Sequence, residues 1–187
     1  MGTEPAALEE DSAPDGPPRA ILITALVLAV AAVAIVLGIA ATRRTPETPV
    51  AIAAVPAPQA DSADCKALVA ALPDHLGEFG RTPTIEPTPA GTAAWRAGPG
   101  GEPVILRCGL DRPGEFVVGS PIQLVDSVQW FQLTDPDTRR STWVSVDRPV
   151  YVAVTLPSDS GPTPIQAISD LIARALPAVP IRPGPPR

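Results

Sequence analysis

The sequence predicts an α+β protein with a single transmembrane helix, followed by a small domain in which an N-terminal and a C-terminal helix flank an antiparallel sheet. Three observations support this prediction. One apolar run near the N-terminus has the length of a membrane span, two segments repeat apolar residues with a helical period, and the segments between them repeat apolar residues with a period of two. The 187 residues and the net charge of −6 suit one modest domain with appendages.

The apolar run defines the first two parts of the chain. Residues 1–19 form an acidic segment that we expect in the cytoplasm, and residues 20–42 are predicted to be the transmembrane helix. The stretch from 20 to 41 carries no charge and would extend about 33 Å as a helix, enough to cross a bilayer core. A cleaved signal peptide is the alternative, but its leader is usually basic and its apolar region shorter. The sequence therefore favours an uncleaved single-pass anchor in the lipid bilayer.

Proline-rich segments bound the domain on both sides. Residues 43–61 contain several prolines and few large apolar residues, which predicts an extended linker. Residues 178–187 are again rich in proline and are predicted to be a disordered tail. The domain itself is expected over residues 62–177, a length sufficient for one independent core.

A helix is predicted at each end of this domain. The first begins at a cap, Ser62 or Asp61, and ends before Pro73. The last begins with Thr163 as its cap and Gln166 at the capping-box position. The apolar stripes are Cys65, Leu68, Val69 and Leu72 in the first helix, and Ile165, Ile168, Leu171, Ile172 and Leu176 in the last.

Between the helices the apolar period changes to two, which indicates strands. In the strand predicted over residues 104–110, Val104, Leu106, Cys108 and Leu110 share the inward face and Arg107 lies opposite. Further strands are predicted at residues 122–125, 128–133, 141–146 and 150–156, with a polar turn between the third and fourth of these five strands.

The chain has two cysteines, Cys65 and Cys108, and both are predicted to point into the same core. A redox motif would place two cysteines closer together, and a zinc site needs about four ligands, whereas the chain has a single histidine. We therefore predict a structural disulfide, which in the chain-entropy model would stabilise the fold by about 4 kcal/mol. Two reduced core cysteines are the alternative, and would be the preferred interpretation if the domain were cytoplasmic.

The orientation of the anchor is subject to two opposing signals. Arg43 and Arg44 follow the apolar run and only Arg19 precedes it, which by the positive-inside rule places the domain in the cytoplasm. The predicted disulfide and the proline- and threonine-rich linker indicate an oxidising, exported location instead. We expect a plasma-membrane protein with its N-terminus inside and its domain on the extracytoplasmic side.

Several classes of chemistry lack the residues that they need. His75 is the single histidine and is expected in a solvated loop, although Asp74 and Glu78 lie near it in sequence. The sequence therefore predicts no cofactor, no metal site and no catalytic residues. A hydrolase that uses only carboxylates, for example Asp126 and Asp147, stays open. The absence of a basic stripe argues against nucleic acid as a partner.

Aromatic and arginine side chains supply the candidate binding surface. Trp130 and Phe131 are adjacent in a predicted strand, so they point to opposite faces and one should lie outside the helix-covered core. With Arg148 they form a candidate surface for a ligand, while ordinary core packing is the alternative for the aromatic residues. The other side chains considered for such a surface are Trp95, Trp143, Tyr151, Arg107, Arg139 and Arg140, the last two in the predicted turn.

An ordered set of segments resembles a known family. These segments include "CKALVAALP" at 65–73, "PVILRCGL" at 103–110 and "DRPVYVAVTLP" at 147–157. Together they resemble an actinobacterial family of small anchored or secreted envelope proteins, the domain of unknown function 3515. The resemblance implies an extracytoplasmic, membrane-associated protein. It implies no activity, and no catalytic residues can be transferred from it.

Two functions are consistent with these features. The first is a non-catalytic binding module that is tethered to the membrane and contacts a protein or cell-wall partner outside the cytoplasm. The alternative is a carboxylate-dependent envelope hydrolase that acts on cell-wall material. A deep pocket holding at least two close acids with raised pKa values would favour the hydrolase, whereas a compact domain without such a pocket would exclude it.

Overall fold

The computed structural model describes residues 19–42, 48–134 and 140–186, and the chain divides into two compact units, Met1–Thr45 and Pro46–Arg187. In the first unit the helix α1 spans Arg19–Thr42 and corresponds to the predicted transmembrane helix. It is long and apolar enough to cross a membrane, a criterion that a signal sequence near the N-terminus would also meet. The expected acidic cytoplasmic tail lies outside the described residues, except for Arg19.

The second unit is an α+β domain, as predicted. Helix α2 precedes an antiparallel sheet of eight strands in the order β1-β2-β3-β4-β8-β7-β6-β5, and helix α3 follows it. The elements are α2 Ala63–Ala70, β1 His75–Leu76, β2 Phe79–Arg81, β3 Thr92–Arg96, β4 Pro103–Leu110, β5 Gln123–Val125, β6 Val128–Thr134, β7 Arg140–Ser145, β8 Tyr151–Pro157 and α3 Thr163–Ala175.

The sequence did not predict the first three strands. β1 and β2 have two and three residues, too few to show an alternating pattern, and His75 lies in β1 rather than in a loop. β3 reads TAAWR, in which small residues hide the period. Its Trp95 is fully buried and donates its indole N–H to the carbonyl of Pro73 at 2.9 Å.

Both helices pack with the same side of the sheet, which we call the front face. The disulfide joins Cys65 of α2 to Cys108 of β4 with a Cα–Cα distance of 5.6 Å, within the usual range for a disulfide. At the other end of the sheet, Trp130 of β6 donates its indole N–H to the hydroxyl of Ser169 in α3 at 2.9 Å. The main core therefore lies between the front face and the helices, and the predicted disulfide is present.

The two helix starts differ in how well they were predicted. Ser62 caps α2, since its hydroxyl accepts the backbone N–H of Cys65 at 3.2 Å. In α3 the cap position is Pro162 and no side chain caps the helix. The assignment of Thr163 as a cap is therefore wrong, because Thr163 is already the first helical residue and Pro164 still falls in the first turn.

A bulge in β4 moves Leu110 away from its predicted face. The pairing with β8 shifts between Cys108 and Leu110, which lie opposite Val152 and Tyr151. Since those two are neighbours in β8, Leu110 lies on the other side of the sheet from Cys108. Gly109 permits this bulge with a φ of +87°, and a Cβ there would lie 2.2 Å from the backbone nitrogen of Ala60.

The expected linker is part of the domain over residues 48–60. Val50 donates its N–H to Pro83 and accepts one from Ile85, forming a parallel bridge beside Thr84. Val50 and Ile52 are buried against Ala94 and Ile105 on the side of the sheet opposite the helices, the back face. The prediction of an extended linker is thus wrong for this stretch. Its apolar residues pack on the back face and remove the apolar side chains of that face from water. Residues 43–47 lie outside the described residues.

The expected disordered tail also packs on the domain. Val179 donates its N–H to the carbonyl of Asp147 at 2.9 Å, and Gly184 donates to Phe116 at 2.8 Å. Ile181 packs on the back-face cluster that contains Phe116. The prediction of disorder is wrong for residues 178–186, which we call the C-terminal strap. Proline disfavours the regular hydrogen-bond ladder of a sheet but permits an extended segment, in which the residues between the prolines form the hydrogen bonds.

Candidate functional site

The three side chains predicted to form a binding surface are buried. Trp130 lies in the front core under α3, and Phe131 lies on the back face, 6% exposed, with its ring centroid 5.4 Å from that of Phe116. The two residues do point to opposite faces. The surface is nevertheless absent, because the loop that carries Phe116 and the C-terminal strap around Ile181 cover this part of the back face.

Arg148 has a structural role instead of a binding role. Its guanidinium lies 2.8 Å from a carboxylate oxygen of Asp147, and both side chains are almost completely buried. Arg148 also donates to the carbonyl of Ser127 at 3.0 Å, and the carbonyl of Asp147 accepts from Val179. The pair therefore connects the β5–β6 turn, the β7–β8 connection and the C-terminal strap.

Two open grooves lie on opposite faces of the sheet where β7 meets β8. The front groove, about 510 Å³, lies between these strands and the start of α3, and Trp143 lines it. The indole N–H of Trp143 donates to the hydroxyl of Ser141 at 3.0 Å, so its polar atom is already paired. Asp126, at a φ of +52°, is the one carboxylate among the lining residues that the structure describes.

The back groove, about 530 Å³, has a largely apolar lining with three charged side chains, Arg107 on its floor and the exposed Asp111 and Glu115. Arg107 of β4 lies opposite Ala153 of β8, which in turn lies opposite Val144 of β7, so the three form a row across its floor. The remaining lining residues are Val55, Pro56, Leu110, Pro113, Leu133, Thr142 and Thr155.

The electrostatics of the back groove are dominated by Arg107. Its side chain is partly buried, and its buried Nε has no hydrogen-bond partner. Burial removes water from the guanidinium and lowers its pKa, and the like charge of Arg140 lowers it further. Among the described residues no carboxylate oxygen lies within 4.0 Å of Arg107, whereas Arg140 is paired with Glu102 at 3.0 Å. The floor thus holds a positive charge without a counter-ion in the described part of the chain.

Hydroxyl groups supplement this charge. The Oγ1 atoms of Thr142 and Thr155 lie 3.0 Å apart in neighbouring strands, and one of the two hydroxyls donates to the other. The second hydrogen is then available to a ligand on the floor of the groove. Asp111 and Glu115 are exposed, where water solvates them. The site can therefore donate hydrogen bonds to one anionic group while the walls contact an apolar body.

The sequence identified part of this site. Arg107 was among the arginines considered for an anionic ligand, and its position opposite Cys108 on the strand was predicted. Val55 and Pro56 were missed because they fall in the expected linker, and Leu110 because the bulge reverses its direction. The alternation of Val50 and Ile52 was the available signal for an ordered segment. Arg139 lies outside the described residues.

Similarity to known proteins extends over most of the chain. Neither the comparison with curated proteins nor the comparison with solved structures finds a match. A family described as "Protein of unknown function (DUF3515)" matches residues 26–181, a range that includes most of α1, both cysteines and Arg107. The resemblance to the domain of unknown function 3515 is confirmed, and the chain belongs to this family, whereas the actinobacterial origin and the envelope location stay predictions.

Proposed function

We propose that the chain is a membrane-tethered, non-catalytic binding module whose domain lies outside the cytoplasm. The observation that carries this proposal is the back groove, a concave and largely apolar site with one desolvated cation on its floor. Ligand sites are typically apolar concavities that contain a small number of well-placed polar groups. The groove is built on four strands of the sheet, so its floor is held rigidly before a ligand arrives.

The extracytoplasmic location is supported by the covalent structure. A disulfide between buried cysteines persists in oxidising compartments and is rare in the cytoplasm. A candidate membrane-spanning helix precedes the domain. These two features agree with an anchor whose C-terminal side faces outward.

The hydrolase alternative receives less support from the geometry. Asp126 lines the front groove, whereas Asp147 is buried in its ion pair with Arg148. In the back groove the partly buried charged group is a guanidinium, and the two carboxylates there, Asp111 and Glu115, are exposed. A positive floor suits binding of an anion better than general acid catalysis by a carboxyl group.

The orientation can be tested with engineered cysteines in intact cells. Val118→Cys places a thiol at a site that is 58% exposed in the domain, and Ser12→Cys places one in the acidic N-terminal segment. A membrane-impermeant maleimide should label the first variant in intact cells and the second only after lysis. The native cysteines should remain unlabelled after denaturation unless a reductant is added. The reverse pattern would place the domain in the cytoplasm.

The binding role can be tested by photo-crosslinking from the groove. A photoreactive amino acid in place of Glu115 should give discrete adducts in intact cells, identified by mass spectrometry as protein or small molecule. The matched control is the same residue in place of Lys66, which is exposed on α2. Equal adducts from both positions, or none from position 115, would contradict a ligand site in the back groove.

A further inference from the structure

The back groove combines accessible apolar side chains with one guanidinium group. Val55 and Pro56 are exposed and Leu110 and Leu133 are half-buried, and together they line the groove above a floor that contains the buried Val144 and Ala153. Arg107 of β4 lies opposite Ala153 of that floor. A ligand that satisfies both features needs an apolar body and a hydrogen-bond acceptor with negative charge at one end.

The state of Arg107 favours an anionic end. The guanidinium has lost part of its hydration, its Nε has no partner, and the nearby Arg140, itself paired with Glu102, lowers its pKa further. An acceptor with a negative charge would replace part of the lost hydration and offset the remaining repulsion between the two guanidinium groups. The free hydrogen of the Thr142–Thr155 pair adds one neutral donor beside it.

The rim limits how much negative charge the ligand can carry. Asp111 and Glu115 both line the groove and are exposed, so a polyanion would approach two like charges. A single anionic group at the floor avoids most of this repulsion, because water screens the rim charges. Charge complementarity therefore selects a ligand with one anionic group over a polyanion such as nucleic acid.

We propose that the back groove binds a singly anionic amphiphile, with its carboxylate or phosphodiester group against Arg107 and its acyl chain along Val55, Leu110 and Leu133. This inference rests on the proposed binding function and names the ligand class. A membrane supplies such molecules, and the chain carries a candidate membrane-spanning helix. The acyl chain leaves one apolar environment for another, so contacts with the headgroup decide binding.

The test uses the full chain in digitonin, a neutral detergent without an alkyl chain. Three probes carry the same photoreactive sixteen-carbon chain and end in a carboxylate, a singly charged phosphodiester of glycerol or an alcohol. We expect the carboxylate probe, the phosphate probe or both to label Val55, Leu110 or Leu133 at least about 10-fold more than the alcohol does. Which anionic probe prevails identifies the headgroup, and either supports the proposal.

Variants test the role of Arg107. Arg107→Gln should reduce labelling by the anionic probes about 10- to 100-fold, to the level of the alcohol, because a charge-assisted hydrogen bond is lost. Arg107→Lys should keep part of it. Arg174→Gln, at an exposed position on α3, is the matched control and should leave labelling unchanged. Melting curves of the variants check folding, and the comparison of probes on the unaltered chain requires no variant.

Three results would overturn the inference and leave the binding module intact. The first is equal labelling of the groove by the alcohol and the anionic probes. The second is a cellular adduct at position 115 that proves to be a protein segment. The third is unchanged labelling in Arg107→Gln. Failure of the proposed function itself is recognised separately, by the absence of any cellular adduct at position 115.

Discussion

Removal of the disulfide should lower the free energy of unfolding by about 4 kcal/mol. Cys65 and Cys108 close a loop with a sequence separation of 43, and the chain-entropy model assigns a loop of that size this much stabilisation. Both sulfurs are fully buried, so Cys65→Ala/Cys108→Ala also leaves a small cavity that adds to the loss. Urea unfolding of the full chain in a neutral detergent, followed by tryptophan fluorescence, measures the effect, since Trp95 and Trp130 are fully buried.

The reduced wild-type chain is the control that separates the covalent bond from the cavity. It keeps both sulfur atoms and lacks only the bond, so it should account for most of the loss. Stability within about 1 kcal/mol of the oxidised chain, for both the reduced form and the double variant, would show that other contacts already hold α2 against β4.

Asp147→Asn should destabilise the domain by about 3–5 kcal/mol. The substitution keeps the shape of the side chain but leaves the buried guanidinium of Arg148 without its counter-charge. The wild-type pair is itself imperfectly satisfied, since one carboxylate oxygen of Asp147 and Nε of Arg148 have no hydrogen-bond partner. Breaking the pair is therefore costly even though the intact pair adds little net stability. The same urea titration measures this loss.

An exposed ion pair provides the matched control. Asp170 and Arg174 are paired one turn apart on α3, and both side chains are more than half exposed. Asp170→Asn should change the free energy of unfolding by less than about 0.5 kcal/mol. If Asp147→Asn proved as mild as Asp170→Asn, water would have to reach the buried pair, and its connecting role would be wrong.

The fold was predicted from patterns that are each contained within one short segment of the sequence. The uncharged run of α1, the stripe of α3 and the alternation in β4 each follow from the need to hide apolar side chains in a regular element. The disulfide followed from two such patterns together, since the inward faces of α2 and β4 share one core. β1, β2 and β3 were not predicted, because short strands and small residues show no clear alternation of apolar and polar positions.

The candidate site was less predictable because it depends on what covers the back face. Alternation correctly placed Trp130 and Phe131 on opposite faces, yet it contains no information about the loop and strap that bury Phe131. The bulge at Gly109 likewise lies in close contact with Ala60, a residue far away in sequence that leaves no room for a side chain there. Arg107 became the candidate because its neighbours in space leave it partly buried and unpaired.

The sequence by itself determined the α+β class, the candidate membrane-spanning helix, the cysteine pair and the outward-facing position of Arg107 on its strand. These depend on periodicity and composition, which are properties of contiguous residues. Only the tertiary structure decided that residues 48–60 and 178–186 cover the back face and that Arg148 is internal. It also decided that a groove remains open around Arg107. The physical reason is that burial is set by residues distant in sequence, whose approach no local pattern encodes.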